Sequence, residues 1–267
     1  MLNDDPEMKT VLRYRAMTSS KSDCKHIVAL PVFNEVGSVN AVLDEVARHC
    51  DKILVVDDGS TDGTSQLLAE RDDIILVEHD GNKGYGAALS TAFEYAAKKQ
   101  YEVLVTIDCD GQHEPQRIQD FVKEIHKTQA DIVSGTRYLK SFDEDSPPPE
   151  QRRLINFKVT QTLNSRLGFE ISDAFCGFKA YRVACLSKLK LAETGYAMPL
   201  ELWVQAACNK LKVVEVAVPR IYLDENRSFG EKLDNPETRL QYYYDVMNKA
   251  FAALPNDCEK LRQIRIG

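Results

Sequence analysis

Short apolar runs alternate with amphipathic segments along the chain, and this alternation constrains the fold more than any other feature. The runs are rich in Val, Ile and Leu and bounded by turn residues, as buried strands are; they cover residues 26–31, 52–56, 74–78, 101–107 and 131–134. Between them, apolar residues recur at helical spacings of three and four, over residues 39–49, 64–71, 84–99 and 115–127. A strand–helix–strand order predicts an α/β fold, with a mostly parallel, Rossmann-like sheet and helices on both faces.

The pattern changes after the fifth strand. An acidic stretch with three consecutive prolines, 141–150, is typical of a loop or hinge. The elements predicted beyond it are a helix over 151–167, a strand over 174–181, a helix over 199–210, a strand over 213–218 and a helix over 237–253. We therefore expect a flexible arm at 1–24, one domain over 25–235, and a C-terminal helix and tail over 236–267.

Composition narrows the class of protein. A chain of 267 residues with 43% hydrophobic residues is long enough for one large α/β domain, and a net charge of −7 argues against a nucleic-acid partner. The seven cysteines are scattered and include no C-x-x-C pair, so we expect neither a disulfide framework nor a zinc site. No apolar run approaches the length that spans a bilayer. We expect a cytoplasmic protein whose membrane contact, if any, is peripheral at the cytoplasmic face.

The fourth apolar run ends in a pattern of oxygen-bearing side chains. Asp108, Asp110 and Gln112 stand at alternate positions of the segment 103–112. Alternate residues of an extended chain share one face, so these side chains can converge where the strand meets solvent. Carboxylate and amide oxygens are ligands that Mg²⁺ and Mn²⁺ prefer. The segment is a candidate metal site, and the alternative is a solvated acidic turn.

The exits of the first three strands also carry polar residues, at the edge where parallel sheets bind ligands. Asn34 and Glu35 follow the first strand, either as the cap and first turn of a helix or as ligand contacts. The loop 57–63 matches the first half of an EF-hand but lacks the glutamate at its twelfth position, and its paired aspartates suit hydrogen bonds to a ribose or a base. The glycines of the loop 81–86 either cradle a phosphate or permit close packing.

In this order and spacing, the loops resemble those of the family 2 glycosyltransferases, most of all the dolichol-phosphate and polyprenyl-phosphate mannosyl- and glucosyltransferases. The resemblance covers about residues 25–233 and implies a GT-A (nucleotide-diphospho-sugar transferase) fold. It also implies that Asp108, Asp110 and Gln112 bind a Mg²⁺ or Mn²⁺ cofactor and the donor diphosphate. The residues that it assigns to the nucleotide sugar are Pro31, Asn34, Glu35, Val56, Asp57, Asp58, Lys83, Asp108, Cys109, Asp110, Arg137, Arg227 and Lys232.

Weaker matches extend the resemblance to the rest of the site. Arg137 stands where the family has an arginine that reaches toward phosphate, and Arg227 and Lys232 belong to a segment that resembles a mobile loop closing over the diphosphate. The segment 173–179 resembles one that lines the sugar pocket, with Cys176 in place of the usual serine. The residues that the resemblance assigns to the acceptor are Arg152, Arg153, Asn156 and Asp173.

The resemblance implies a metal-dependent inverting transfer of a hexose, mannose or glucose, from a GDP- or UDP-sugar to a polyprenyl phosphate. The catalytic residues would be Asp108, Asp110, Arg137 and Arg227. An acceptor phosphate is already anionic near neutral pH and needs no strong general base. One alternative is a family 2 enzyme that glycosylates a sugar hydroxyl, for which Glu201 is the candidate base. A second is a non-catalytic nucleotide-sugar-binding protein on the same fold.

Overall fold

A computed structural model of the chain describes residues 25–143, 145–223 and 231–266. Its centre is a seven-stranded sheet in the order β3-β2-β1-β4-β6-β5-β7. The strands are β1 (His26–Val32), β2 (Ile53–Asp57), β3 (Ile75–Glu78), β4 (Val103–Thr106), β5 (Ile132–Thr136), β6 (Lys179–Arg182) and β7 (Val213–Ala217). Only β6 runs antiparallel to its neighbours β4 and β5, while the other pairs are parallel. The predicted mostly parallel α/β sheet is confirmed.

Helices follow most of the strands and cover both faces of the sheet. They are α1 (Val39–Ala47), α2 (Thr64–Ala69), α3 (Tyr85–Lys98), α4 (Ile118–Thr128), α5 (Glu150–Leu167), α6 (Val183–Leu186), α7 (Met198–Cys208), α8 (Glu231–Asp234), α9 (Pro236–Ala253) and α10 (Glu259–Arg262). Short 3₁₀ turns precede α4, at Pro115–Arg117, and α10, at Asn256–Cys258. Among the described residues, no helix is both long and apolar enough to cross a bilayer.

Successive side chains along each strand point to opposite faces of the sheet, and this divides the core around the sheet into two layers. In β1, Val28 and Leu30 pack on one face of the sheet beneath α1, α2 and α4, while Ile27 and Ala29 pack on the other beneath α3, α6 and α7. A third apolar cluster joins α5, α7 and α9 around the fully buried Trp203. This arrangement leaves the carboxyl ends of β1, β2, β3 and β4 side by side at one edge of the sheet, where the polar loops begin.

The predicted strand over 174–181 is wrong in its first half, because β6 begins only at Lys179. Side chains of neighbouring helices capture the preceding backbone instead. The N–H of Ala174 donates to Oδ1 of Asn156 (3.2 Å), and Nε1 of Trp203 donates to the carbonyl of Ala174 (2.9 Å). These bonds replace a strand ladder and hold an irregular segment against the edge of the sheet.

The C-terminal residues differ from the expected tail. Cys208 at the end of α7 forms a disulfide with Cys258, 50 residues later, so the expectation that the chain has no disulfide is wrong. The two cysteines meet only because the segment after α9 folds back onto α7, and sequence spacing carries no signal for that. Asn248 closes the segment further: its Nδ2 donates to the carbonyl of Ile266 (2.7 Å), and its Oδ1 accepts from the N–H of Ile266 (2.8 Å).

Candidate active site

Hydrogen bonds join the loops that follow β1 and β2. The N–H of Asn34 donates to Oγ of Ser60 (2.9 Å), and Oδ1 of Asn34 accepts from the N–H of Thr61 (2.8 Å). Asn34 has a φ of 56°, a left-handed conformation in which asparagine is enriched. Oδ1 of Asp57 accepts from the N–H of Ser60 (3.0 Å). Asn34 therefore braces the second loop and does not cap α1, which begins after Ser38.

Asp58, which is 3% exposed, organises the glycine-rich loop after β3. Its carboxylate accepts from the N–H groups of Lys83 (2.9 Å) and Gly84 (2.7 Å). Nδ1 of His79 lies 2.6 Å from Oδ1 of Asp58, and Nε2 of the same ring lies 2.9 Å from Oγ1 of Thr91. Asp58 thus fixes the position of one loop from another while its side chain also lines the cavity described below.

Close packing explains two glycines of this loop. A Cβ at Gly84, whose φ is 103°, would overlap the carbonyl of Thr194, and one at Gly86 would overlap the carbonyl of Glu193. Neither position has room for a side chain, and Gly84 also has a conformation that other residues rarely adopt. Of the two interpretations of these glycines, the structure supports close packing of α3 against the segment before α7.

Asp108, just beyond β4, is held by two neighbouring side chains. The hydroxyl of Tyr85 donates to Oδ1 (2.9 Å), and Nε2 of His113 lies 3.1 Å from Oδ2. Burial raises the pKa of the Asp108 carboxyl. The hydrogen bond and charge of His113, together with the hydrogen bond from Tyr85, outweigh burial and leave the pKa below its ordinary value. A Cβ at Gly177 would overlap the Asp108 carboxylate, so glycine is required there. Asp108 is therefore an oriented anion at the sheet edge.

Asp110 and Gln112 complete the alternating pattern. Oδ1 of Asp110 accepts from the N–H of Gln112 (3.0 Å), and both side chains line the cavity together with the first aspartate. The hydroxyl of Ser38 donates to Oε2 of Glu35 (2.9 Å) and to the carbonyl of Cys109 (2.9 Å), which ties the β1 exit to this segment. Two carboxylates and an amide oxygen facing one cavity fit the ligand chemistry of Mg²⁺ or Mn²⁺.

A buried ion pair closes the β5 side of the site. Nε of Arg137 donates to Oδ2 of Asp173 (2.7 Å) and Nη2 donates to Oδ1 (2.9 Å), while Nδ2 of Asn156 also donates to Oδ1 (2.8 Å). Asp173 is fully buried. Burial alone would raise the pKa of its carboxyl, but the Arg137 guanidinium lowers that pKa to about 2. The two-pronged contact fixes the Arg137 guanidinium at the cavity wall.

A single cavity of about 940 Å³ connects these groups across the edge of the sheet. It runs from the exits of β1 and β2, past the β4 exit, to the N-terminal turns of α5 and α9. The candidate site residues that line it are Pro31, Asn34, Glu35, Asp58, Asp108, Cys109, Asp110, Gln112, Arg137, Arg152 and Asn156. The cavity therefore brings together candidates for the nucleotide, the metal and the acceptor.

Some described candidates lie outside the cavity wall: Val56, Asp57, Lys83, Arg153, Asp173 and Glu201. Oε2 of Glu201 accepts from the N–H groups of Ala192 and Glu193 (2.8 Å each), so this carboxylate braces the loop before α7. Arg227 lies outside the described residues, as does the side chain of Lys232.

The sequence analysis missed several residues of the site. Tyr85, Tyr138, Tyr243 and Arg239 line the cavity, and His113 contacts the first aspartate of the acidic pattern. His113 and Tyr138 each directly follow a residue that the sequence singled out, and that adjacency was a usable signal. Tyr243 and Arg239 reach the cavity only because α9 packs beside α5, which no local pattern indicates.

A mostly parallel sheet, with an acidic pair at the β4 exit and polar loops at the neighbouring exits, is the arrangement of the GT-A fold, and a match to a family model assigns the chain to the glycosyltransferases. The model of the family described as glycosyl transferase family 2 matches residues 27–190, more than half of the chain. The chain belongs to glycosyltransferase family 2.

Two curated relatives are similar over most of the chain. The polyprenol monophosphomannose synthase of Mycolicibacterium smegmatis is 32% identical over 203 residues, which are 72% of this chain and 76% of that protein. The undecaprenyl-phosphate mannosyltransferase of Micrococcus luteus is 27% identical over 77% of this chain and 85% of its own length. The first relative is named for the synthesis of polyprenol monophosphomannose, and the second for mannose transfer involving undecaprenyl phosphate.

A solved structure has the same fold. Glucosyl-3-phosphoglycerate synthase from Mycobacterium tuberculosis, in complex with Mn²⁺, UDP and glucosyl-3-phosphoglycerate, superposes with a TM-score of 0.62 at 18% identity. The match covers 88% of this chain and 80% of that one. At this identity the likeness shows the fold alone.

Proposed function

We propose that the protein transfers a hexose from a nucleotide sugar to a polyprenyl phosphate, by a metal-dependent inverting displacement. The observation that carries the proposal is the continuous cavity, which has polar strand-exit loops at one end, Asp108 and Asp110 at its centre, and Arg137 and Arg152 at the other end. An arrangement of this kind suits two phosphate-bearing substrates that meet over a carboxylate pair.

The nucleotide belongs at the end formed by the β1, β2 and β3 exits. Asn34, Glu35 and Asp58 present amide and carboxylate oxygens there, and these suit the hydroxyls of a ribose or the N–H groups of a base. Their positions are fixed by hydrogen bonds between the loops, so little ordering is needed when a donor binds. GDP and UDP donors both remain candidates at this end.

The diphosphate belongs at the centre of the cavity. Asp108, Asp110 and Gln112 would hold a Mg²⁺ or Mn²⁺ ion, which when bound neutralises charge on the leaving diphosphate. Arg137 lines the same cavity with its guanidinium fixed by Asp173, and a preorganised cation of this kind stabilises the same developing charge without reorganisation. Tyr85 and His113 orient Asp108 and are positioning residues.

The acceptor belongs at the α5 end. An oxygen of its phosphate forms the new bond to the anomeric carbon as the bond to the diphosphate oxygen breaks, and the electron pair leaves with the nucleoside diphosphate. Since the attacking oxygen is already anionic, the reaction needs no proton acceptor. This agrees with the position of Glu201, which bonds to backbone N–H groups away from the cavity.

Peripheral contact with a membrane would bring a lipid acceptor within reach. On the outer face of α5, Leu154 and Phe157 are 50% and 56% exposed. Arg153 and Lys158 are exposed beside them. Large apolar side chains among basic ones are typical of a helix that lies on an anionic membrane surface. The similarity to a polyprenol monophosphomannose synthase and to an undecaprenyl-phosphate mannosyltransferase supports the same acceptor class.

Metal-dependent donor binding is the first test. GDP-mannose, UDP-glucose and UDP-N-acetylglucosamine are added separately with MnCl₂ or with EDTA, and thermal unfolding is followed. We expect one donor to stabilise the protein by about 2.7 kcal/mol at a hundred times its dissociation constant, and only with the metal. Asp110→Asn should lose this effect, and Asp72→Asn, an exposed carboxylate outside the cavity, should retain it. Equal stabilisation in EDTA would contradict the metal role.

A further inference from the structure

We propose that Arg239 of α9 is a second phosphate-binding residue of the acceptor site, acting with Arg152 of α5. The inference rests on the proposed function, which places the acceptor at this end of the cavity. It adds a residue from a part of the chain that lies beyond the family match, since that match ends at residue 190. The ligand chemistry is a phosphate monoester, either on a lipid or on a small molecule.

The N-terminal turns of α5 and α9 bring the two arginines to one wall. Arg152 lies in the first turn of α5, and Arg239 lies in the second turn of α9. Both line the cavity, although Arg239 is only 5% exposed. The guanidinium has five N–H donors, and an arginine at a cavity wall is suited to bind a phosphate there.

The backbone of α9 does not supply this anion site. Its first N–H groups are already satisfied, because Oδ1 of Asn235 accepts from the N–H groups of Glu237 and Thr238 at 3.0 Å each. Arg239 is therefore the cationic group that α9 contributes to the cavity, beside the ring of Tyr243. The positive end of the helix dipole adds to its attraction for a phosphate.

Charge distribution around Arg239 favours an anionic ligand. Burial lowers the pKa of Arg239, the charge of Arg152 lowers it further, and Tyr243 and Asp234 oppose both effects. Two guanidiniums in one partly desolvated wall repel each other, and a dianion between them relieves that repulsion. Guanidinium forks also match the geometry of phosphate oxygens.

Aromatic side chains that line the cavity suit the carbon group attached to such a phosphate. Phe175 and Tyr243 line the same end of the cavity, and their ring centroids lie 4.9 Å apart. Tyr138 and Tyr222 line it too. Aromatic faces beside a pair of arginines offer apolar contact to the first carbon unit of a phosphate monoester, such as an isoprene.

The test is a comparison of acceptor kinetics in matched variants. Arg239→Gln, Arg239→Lys and Arg152→Gln are compared with Arg166→Gln, because Arg166 is an exposed arginine in the last turn of α5 that lies outside the cavity. Farnesyl phosphate in detergent and glycerol 3-phosphate in solution serve as acceptors with a saturating nucleotide sugar. Donor affinity is measured separately by titration calorimetry.

We expect Arg239→Gln to raise the KM for the phosphate acceptor at least tenfold, with donor affinity within twofold of the wild type. Arg239→Lys should recover part of the loss, and Arg166→Gln should change neither value. The acceptor that the wild type uses identifies the phosphate source. If Arg239→Gln also loses donor binding, the KM of Arg239→Lys for the phosphate acceptor is compared with that of the wild type instead. An unchanged KM in Arg239→Lys overturns the assignment.

The two ways of failing are distinguishable. An unchanged acceptor KM in Arg239→Gln, with a wild type that uses a phosphate acceptor, overturns the role of Arg239 alone. A wild type that glycosylates neither phosphate, but does glycosylate a sugar hydroxyl, overturns both the proposed function and this inference.

Discussion

Replacing Asp173 by asparagine removes the charge that holds Arg137. The carboxylate is fully buried and accepts hydrogen bonds from Arg137, Asn156 and the N–H of Phe175. Its pKa of about 2, against an ordinary value of 3.8, corresponds to about 2 kcal/mol in favour of the ionised form. Asparagine also places an amide N–H₂ against a guanidinium donor. Breaking a buried pair costs about 3–5 kcal/mol, and we expect a loss of unfolding free energy in that range.

Urea unfolding of the wild type, Asp173→Asn and the exposed control Asp72→Asn measures this loss. The folded-state pKa of Asp173 is depressed, so its contribution is fully present above about pH 4 and declines as the pH falls toward 2. The difference in unfolding free energy between the wild type and Asp173→Asn should therefore decrease as the pH is lowered from 5 to 2.5. The unfolding free energy of Asp72→Asn should follow that of the wild type. A loss below about 1 kcal/mol at pH 5 would refute the buried pair as a major contributor.

Two other substitutions test the local geometry. Gly177→Ala forces a methyl group into the Asp108 carboxylate and should weaken metal-dependent donor binding more than tenfold, as measured by calorimetry. Gly81→Ala, which has open space at its Cβ position, should bind the donor normally. Equal donor affinities in the two variants would contradict the role of Gly177. Cys208→Ser removes the disulfide to Cys258 and should cost about 2–4 kcal/mol in urea unfolding. Wild-type stability that is the same with and without reductant would exclude that contribution.

Short-range patterns predicted the sheet and the position of the site. Runs of β-branched residues mark the strands, and polar residues at the strand exits mark the ligand edge, because the carboxyl ends of parallel strands lie together. Asp108, Asp110 and Gln112, which the spacing singled out as a candidate metal site, line one cavity. Interactions of this kind are encoded within a few residues and are visible without a structure.

Long-range packing produced the features that sequence did not predict. Arg137 and Asp173 were both candidates, but their ion pair depends on the meeting of two loops 36 residues apart. The segment before β6 is apolar enough for a strand, yet Asn156 captures its backbone. The disulfide and the approach of Arg239 to the cavity both follow from the packing of α9 and the residues after it, for which no local pattern exists.

The central claim is transfer to a lipid phosphate, and a matched pair of acceptors tests it most directly. Purified protein is supplied with the nucleotide sugar that stabilises it, MnCl₂, and either farnesyl phosphate or farnesol, and the glycosylated lipid is quantified by mass spectrometry. We expect product from the phosphate, none from the alcohol, and at least a hundredfold less product from the phosphate with Asp110→Asn, the scale of losing a key electrostatic stabiliser. Equal transfer to both lipids, or transfer to a sugar hydroxyl alone, would contradict the account.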